Sequence, residues 1–332
     1  MTVLNVTGLK EESVVQPGED GTYAESRGGT EMMMEGLKAR VDSELLEKFN
    51  IICSRVRKID LNKPNILWLH DTWDDPESQH LKEEENLKKF MKLVFVSNYQ
   101  QQTFNMGLGV PYSAGIVLQN AIEPIEVHEK PDPDECINLI YHTTPHRGLD
   151  ILAPVFEFLV KHQEENNGRK MHLDVYSSFK IYGWEQRDQQ HAEAIDKCKE
   201  HPNITYHGYQ ANPVIREALK KAHIYAYPNI WPETSGISVL EAMSAGCQIV
   251  CPNFAALPET TANFAAMYNF EEDANKHANV FANMLLQAIN MYGNDVVHDK
   301  LNFQAQYVNN FYNWDFRAAQ WRGFLQSMEN AL

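Results

Sequence analysis

The chain has 332 residues, enough for two ordinary domains, and 43% of them are hydrophobic. Its 29 basic and 45 acidic residues give a formal net charge of −16, which opposes non-specific binding to nucleic acid or anionic lipid. No apolar run approaches the roughly 18–20 residues of a membrane-spanning helix. Five cysteines without metal-type spacing fit a reducing compartment, so we expect a cytoplasmic protein.

The first third of the sequence predicts alternating strands and helices. A strand at 3–7 precedes a long polar loop, and a helix follows the Gly-Gly turn at 27–31 with Thr30 as its N-cap. Such a turn fits a phosphate cradle and, equally, a tight turn with a helix cap. His70 ends a strand, where ligand residues of open α/β sheets collect. Further strands are predicted at 50–53, 65–70, 92–97 and 115–118, and helices at 77–90 and 99–106.

A Pro- and charge-rich stretch at 125–134 predicts a linker between domains at 1–124 and 135–312. After it, strands alternate with helices, which implies a parallel, doubly wound sheet with right-handed crossovers. The final segment, 313–332, carries apolar anchors at Trp314 and Trp321. The strands are predicted at 137–141, 171–176, 204–207, 224–227, 248–251 and 265–268, and the helices at 149–165, 185–200, 212–221, 236–245 and 273–292.

The stretch from Trp231 to Gly246 changes from an irregular loop to a helix. Glu233 in the loop and Glu241 on the helix have seven residues between them. Free N–H groups and the helix dipole favour an anion near Gly236. At about 1.5 Å per residue, Glu241 lies about 7–8 Å farther along, roughly the distance from a diphosphate to the ribose of the same nucleotide. The stretch fits a nucleotide-sugar, but taken alone it does not exclude an acidic loop before a core helix.

Six short segments carry motif-like patterns; they lie at 27–31, 95–98, 117–122, 141–150, 203–209 and 233–246. In this order they resemble the motifs of the retaining glycosyltransferases of family 4, including the E-x7-E signature. The resemblance covers both predicted domains. It implies the GT-B fold, an α/β architecture of two Rossmann-like doubly wound domains facing each other across a cleft, with the last helix crossing back onto the first domain.

The same resemblance implies the residues of a site. Glu241 would bind the ribose hydroxyls, Glu233 would face the donor sugar, and Arg147 would neutralise the diphosphate. His70 would lie near the donor sugar and the acceptor, so His70, Glu233 and Arg147 are the predicted catalytic residues. The other predicted donor-binding residues are Gly28, Gly29, Thr143, Thr144, Ser177, Tyr209, Thr234, Ser235, Gly236 and Ile237.

The chain departs from the family pattern in ways that affect the site. Thr143 or Thr144 stands where an arginine is common, which leaves Arg147 as the basic residue, and Ser177 with Ser178 replaces a glycine. The first domain is short. The donor side of the cleft is therefore better defined than the acceptor side.

The resemblance implies transfer of a hexose-type sugar from a UDP- or GDP-linked donor to a hydroxyl acceptor, with retention of configuration. We expect a carbohydrate-like acceptor (a glycan, a lipid-linked sugar or a small molecule), no metal, no other cofactor and no nucleic-acid partner. Peripheral contact with a membrane and the oligomeric state stay open. The alternatives are a GT-B epimerase, a transferase acting on modified DNA bases, and a non-catalytic carbohydrate-binding protein. A glycosidase fits less well, because Glu233 and Glu241 lie beside a phosphate-type helix start.

Overall fold

The structure is a computed structural model that describes residues 18–20, 22–23, 26–126 and 128–331. The strand predicted at 3–7 lies outside these residues. Two parallel sheets organise the described chain, and helices connect their strands, except the first two strands in the chain, which the irregular segment 54–64 joins. The first sheet has the order β1-β2-β3-β4 and consists of β1 (Asn50–Cys53), β2 (Asn65–Leu69), β3 (Lys92–Phe95) and β4 (Gly115–Val117).

The helices around the first sheet depart from expectation in the segment 77–90. The single helix predicted at 77–90 is wrong, because the segment divides into a 3₁₀ turn and a short α-helix. Asp75 accepts a hydrogen bond from the backbone N–H of Glu77 at 2.8 Å and fixes the start of the turn, while Glu83 between the pieces is extended. The elements are α1 (Gly29–Arg40), α2 (Ser43–Leu46), the 3₁₀ turn Pro76–Lys82, α3 (Glu84–Leu87), α4 (Asn98–Leu108) and the 3₁₀ turn Tyr112–Ala114.

Helix α1 begins one residue before the predicted cap. Its N-cap is Gly28, without a side-chain cap, so Thr30 lies inside the first turn and the predicted cap is wrong. Glu31 ties the preceding loop to the helix instead: its carboxylate accepts hydrogen bonds from the Ser26 hydroxyl at 2.8 Å and the Tyr23 backbone N–H at 3.1 Å. A carboxylate in the first turn also complements the helix dipole.

The second sheet has the order β10-β9-β8-β5-β6-β7. The chain enters at its centre, winds outward on one side, and then returns to the opposite side of the first strand. The strand order therefore reverses between β5 and β8, and the crevice at their carboxyl ends is where ligands bind in open parallel sheets. The strands are β5 (Ile137–Tyr141), β6 (Met171–Val175), β7 (Ile204–Tyr206), β8 (Ile224–Ala226), β9 (Gln248–Pro252) and β10 (Ala266–Tyr268).

The helices of the second sheet match the predicted ones except in two places. The helix predicted at 185–200 is α-helical only in its second half, because Asp188 accepts hydrogen bonds from the Ser178 hydroxyl and the Phe179 backbone N–H and draws its first half back toward β6. Helix α9 was not predicted. The helices that follow β5 in the chain are α5 (Leu149–Glu165), α6 (Ala192–Glu200), α7 (Asn212–Lys221), α8 (Ile237–Ser244), α9 (Leu257–Thr261), α10 (Ala274–Met291), α11 (Asp295–Phe311) and α12 (Trp314–Glu329), with 3₁₀ turns at Pro145–Arg147, Phe179–Tyr182 and Glu185–His191.

Helix α12 packs on the first sheet, although it follows the whole of the second sheet in sequence. Trp321 is fully buried, and its ring centroid lies 4.7 Å from that of Trp68 in β2. Trp314 lies directly against Gly36 of α1, where any side chain would collide with its ring. The buried residues that α12 contributes to this core are Trp314, Ala318, Trp321, Phe324 and Leu325.

The chain passes between the sheets at two adjacent places. The backbone N–H of Ile122 donates to the carbonyl oxygen of Tyr312 at 2.8 Å, and Ile122 forms a parallel bridge with Asn313. The backbone segment that leaves the first sheet and the segment that returns to it are thereby joined side by side. No helix within the described ranges is long and apolar enough to span a bilayer.

Candidate active site

A cleft of about 1770 Å³ lies between the two sheets. Its walls come from the start of α1, the loop after β2, the loops after β5 and β8, and the start of α8. The strand-order reversal of the second sheet therefore opens into it. All predicted site residues except one line this cleft: Gly28, Gly29, His70, Thr143, Thr144, Arg147, Tyr209, Glu233, Thr234, Ser235, Gly236, Ile237 and Glu241.

Ser177 is the exception, and its predicted place in the cleft is wrong. The residue is 1% exposed, and its hydroxyl has no hydrogen-bond partner among the described residues. The next residue, Ser178, lines the cleft instead. Successive side chains of extended backbone point to opposite sides, so a shift of one residue exchanges the buried and cleft-facing positions.

Arg147 and Glu233 form an ion pair where the loops after β5 and β8 meet. The Arg147 Nε donates to Glu233 Oε1 at 2.6 Å, and the two side chains are 16% and 11% exposed. Gly148 brings the loops together: it has φ +114° and lies against the carbonyl of Pro228, which leaves no room for a side chain. A buried charge is tolerated when it is paired and hydrogen-bonded, as both are here.

Two hydroxyl groups complete this ion pair. The buried Tyr227 hydroxyl donates to Glu233 Oε1 at 2.6 Å, and Arg147 Nη1 donates to the Thr144 hydroxyl. Burial and the Glu233 carboxylate raise the pKa of Tyr227 well above its usual value, so its hydroxyl stays a donor. Burial opposes the charge of Arg147, but the Glu233 carboxylate together with Tyr182 and Tyr227 outweighs burial, so the pKa of Arg147 is raised. The guanidinium is therefore a permanent cation facing the cleft.

Helix α8 begins in the cleft without a side-chain cap. Its N-cap, Gly236, has φ +95°, a left-handed conformation that favours glycine. Because no side chain satisfies the first turn, its leading backbone N–H groups are available to an anion, which the helix dipole also attracts. The loop before it is fixed from both sheets: Thr234 donates to the carbonyl of His70 at 2.8 Å, and Thr260 donates to the carbonyl of Ser235.

Glu241 lies one and a half turns along α8 and is 5% exposed. Its Oε1 accepts a hydrogen bond from the Asn212 side-chain amide at 2.8 Å, and Arg216 Nη1 lies 3.8 Å away. Burial raises the pKa of Glu241, and these two neighbours oppose that rise. The carboxylate is therefore held at a fixed place on the cleft wall by α7.

His70 lies at the end of β2, on the wall opposite Glu233 and Arg147. Its ring packs against Trp68 with a centroid distance of 4.8 Å, and both ring nitrogens are buried without a partner among the described residues. Burial and the nearby Arg55 lower the pKa of His70 to about 3. The imidazole is therefore neutral near pH 7 and offers one hydrogen-bond donor and one acceptor.

Several cleft residues escaped the sequence prediction. Tyr182, Trp184 and Arg187 come from the 3₁₀ segment after β6, where no periodic pattern marks them, and the Arg187 guanidinium lies 4.4 Å from the Trp184 ring centroid. His142 follows β5 directly and has an unpartnered Nε2 among the described residues. Tyr227, which is fully buried and reaches the cleft only through Glu233, also escaped because it looks like one more apolar residue of a buried strand. Its position at the end of β8, beside the strand-order reversal, was the available signal.

Comparison with known proteins bears on the second sheet and on the whole fold. Residues 141–288 match the family model described as "Glycosyl transferases group 1". No curated protein sequence matches the chain. A glycosyltransferase from Rickettsia africae ESF-5 superposes with a TM-score of 0.65 at 14% identity, covering 92% of this chain and 84% of that one.

Two further solved structures share the arrangement. A variant of S. aureus TarM, in complex with Fondaparinux, alpha-GlcNAc-glycerol and UDP, has a TM-score of 0.59 at 18% identity over 81% of this chain and 52% of its own. Anabaena Alr3699/HepE, in complex with UDP-glucose, has a TM-score of 0.58 at 14% identity over 80% of this chain and 72% of its own.

The chain has the GT-B fold. The predicted fold class is thus confirmed, with two parallel sheets and a cleft between them. Within this GT-B fold, Arg147, Glu233 and the start of α8 lie on the second-sheet wall and His70 on the first-sheet wall. This chain covers only 52% of TarM's own chain, so features of that longer protein do not transfer as a whole.

Proposed function

We propose that the chain is a glycosyltransferase that moves a hexose-type sugar from a nucleoside-diphosphate sugar to a hydroxyl group of a carbohydrate acceptor, with retention of configuration. The observation that carries this proposal concerns two groups that line the same cleft. One is the buried guanidinium of Arg147, and the other is the uncapped N-terminus of α8. Both favour a diphosphate. The family-model match over 141–288 supports the same chemistry.

The donor we propose is a UDP-sugar. TarM and HepE were solved with UDP and with UDP-glucose, and both share the fold. Along α8, the Glu241 carboxylate would accept hydrogen bonds from the ribose hydroxyls, and Tyr209 would lie beside the base. Gly28 and Gly29 would approach the donor from the opposite wall, where they pack closely against the side chains of Tyr182 and Ile237.

The proposed reaction places charge at two positions. The bond between the anomeric carbon and the diphosphate breaks, and its electron pair stays on the diphosphate, next to Arg147 and the α8 amides. The acceptor oxygen forms the new bond on the same face, and its proton passes to the departing diphosphate oxygen. His70, as a neutral donor or acceptor, would orient the sugar. We propose that these groups suffice without a metal or another cofactor.

A thermal-shift screen with UDP-, GDP- and ADP-linked sugars tests the donor. A ligand that binds only the folded state raises the melting temperature, so we expect UDP-sugars to do so and Arg147→Ala to abolish the effect. Lys161→Ala, an exposed cation on α5 far from the cleft, is the matched control. No shift with any nucleotide-sugar would contradict the proposal.

Product analysis separates the remaining alternatives. Transfer to a panel of saccharides, followed by NMR assignment of the anomeric centre, should show retention. Inversion would overturn the proposed stereochemistry. Conversion of the donor without an acceptor would indicate an epimerase, and donor binding without turnover would indicate a non-catalytic protein.

A further inference from the structure

The Glu233 carboxylate is held entirely through one of its oxygens. Oε1 accepts hydrogen bonds from both Arg147 Nε and the Tyr227 hydroxyl, each at 2.6 Å. Oε2 accepts none from the described residues. Two donors fill the lone pairs of one carboxylate oxygen. The carboxylate is therefore fixed in rotation, with Oε2 left for the cleft.

The Arg147 guanidinium is fixed in the same way. Its Nε–H is used by Glu233 and one Nη1 hydrogen by the Thr144 hydroxyl, while Nη2 has no acceptor among the described residues. Since the guanidinium is planar and its donors are rigidly placed, two anchors on one side determine where Nη2 points. Nη2 is the part of the cation that remains for a ligand.

Two buried tyrosines hold these anchors from neighbouring strands. Tyr141 at the end of β5 donates to the Thr144 carbonyl at 3.0 Å, and Tyr227 after β8 donates to Glu233. Both rings are 0% exposed, and their centroids lie 6.4 Å apart. Burial raises the pKa of both hydroxyls, so both remain donors over the working pH range.

We propose that Tyr227 is a positioning residue that, through Glu233, orients Arg147 toward the diphosphate of the donor. This inference rests on the proposed function. It gives Glu233 a second role: besides facing the sugar, it anchors the cation that stabilises the leaving group. Tyr227 touches neither substrate, and its effect reaches the reaction only through the carboxylate and the guanidinium.

Tyr227→Phe tests this role because it removes one hydroxyl and keeps the ring. Leaving-group charge develops in the transition state, so a misdirected Arg147 should lower kcat about 10-fold or more while the KM for the UDP-sugar changes less than about twofold. The ratio of UDP affinity to UMP affinity should also fall about 10-fold, because the terminal phosphate of UDP carries the charge of the leaving group, which the sugar-linked phosphate of the donor has not yet gained. Tyr268→Phe is the matched control: Tyr268 is also buried in the second sheet, and its hydroxyl bonds His277 at 2.9 Å, away from the cleft.

A second pair of variants keeps the test decisive if Tyr227→Phe folds poorly. Thr144→Val removes the other anchor of the guanidinium and should reproduce the loss in kcat and in the UDP/UMP ratio. Thr144→Ser keeps the hydroxyl and should recover most of that loss. If the wild-type protein neither binds UDP nor transfers sugar, the proposed function fails. If the wild type does both and Tyr227→Phe and Thr144→Val match it, the positioning role alone is overturned.

Discussion

Glu259 of α9 links the two sheets, because its carboxylate accepts a hydrogen bond from the backbone N–H of Tyr99 in α4 at 3.0 Å. Its other carboxylate oxygen accepts from the backbone N–H of Asn98, also at 3.0 Å, so one side chain covers the first turn of α4. A carboxylate at a helix N-terminus satisfies unpaired N–H groups and complements the helix dipole. Together with the hydrogen bond from the Thr234 hydroxyl to the His70 carbonyl, this link joins elements of the two sheets directly.

Removing the Glu259 carboxylate should weaken the connection between the two walls of the cleft. In Glu259→Ala we expect the KM for the UDP-sugar to rise about 3- to 10-fold, because a helix-terminus contact of this kind contributes on the order of 1 kcal/mol. Small-angle scattering without donor should give a larger radius of gyration, which saturating donor restores. Glu272→Ala, an exposed acid before α10, is the control. Identical scattering of Glu259→Ala and wild type would show that the link does not hold the walls together.

Glu241→Ala should weaken binding of the nucleotide donor. A hydrogen bond to a charged group contributes about 1.5–3 kcal/mol, so the dissociation constant measured by calorimetry should rise roughly 10- to 150-fold. A thermal melt checks that the unpaired Asn212 amide has not disrupted α7. Glu217→Ala, an exposed acid on the same helix as Asn212, should bind as the wild type does. Unchanged affinity in Glu241→Ala would remove Glu241 from the donor site.

The buried histidines predict acid sensitivity. Burial lowers the pKa of His142 to about 3, well below the 6.5 of an unfolded histidine. The folded state therefore binds fewer protons than the unfolded state between these values, so the free energy of unfolding should fall as the pH drops below 6.5. From pH 7.5 to 5.5 a histidine of this kind contributes a loss of about 1.4 kcal/mol.

Denaturant titrations of His142→Gln should reveal that contribution. The variant should lose about 1.4 kcal/mol less than the wild type over the same pH interval, since glutamine does not titrate. His298→Gln, at an exposed position on α11, should lose as much as the wild type. An identical pH dependence in His142→Gln and wild type would mean that the imidazole is not held neutral by the fold.

Trp321→Ala should strongly destabilise the protein. Truncation of a fully buried tryptophan typically costs about 3–5 kcal/mol, and Trp321 is 0% exposed against Trp68. Guanidinium unfolding measures the difference. Phe316→Ala on the same helix, where the side chain is 41% exposed, should cost much less. Equal losses in the two variants would show that α12 does not complete the core of the first sheet.

The second sheet could be predicted from sequence because its strands are short apolar runs separated by amphipathic helices. The run Ile137–Tyr141 is almost entirely buried, as such a run in a parallel sheet should be. The helix prediction for 77–90 was wrong because the mixed charges of the segment resemble those of a solvated helix. Its actual structure is set by the Asp75 cap and by the extended backbone of Glu83. Local hydrogen bonds of this kind produce no periodic pattern in the sequence.

The candidate site divides in the same way. Glu233, Arg147 and Glu241 belong to motifs from which a place in the cleft was predicted, and all three line it. From sequence alone, Tyr227 is interpreted as a core residue and Glu259 as an exposed acid. Their hydrogen-bond partners cannot be recognised locally, since Glu259, for example, binds the backbone of Tyr99, 160 residues away. Ser177 was predicted to bind the donor, but its side chain is buried and the next residue, Ser178, lines the cleft. Successive side chains of extended backbone point to opposite sides, so an error of one residue is enough to exchange the two.

The return of α12 to the first sheet has a consequence for folding during synthesis. The core around Trp68 includes Trp314, Trp321 and Leu325, so it is incomplete until residues more than 240 positions downstream of β2 have left the ribosome. Until then the apolar face of α1 and β2 has no cover. We expect the nascent first sheet to be a chaperone client, while the second sheet, whose core is made by consecutive elements, can close on its own.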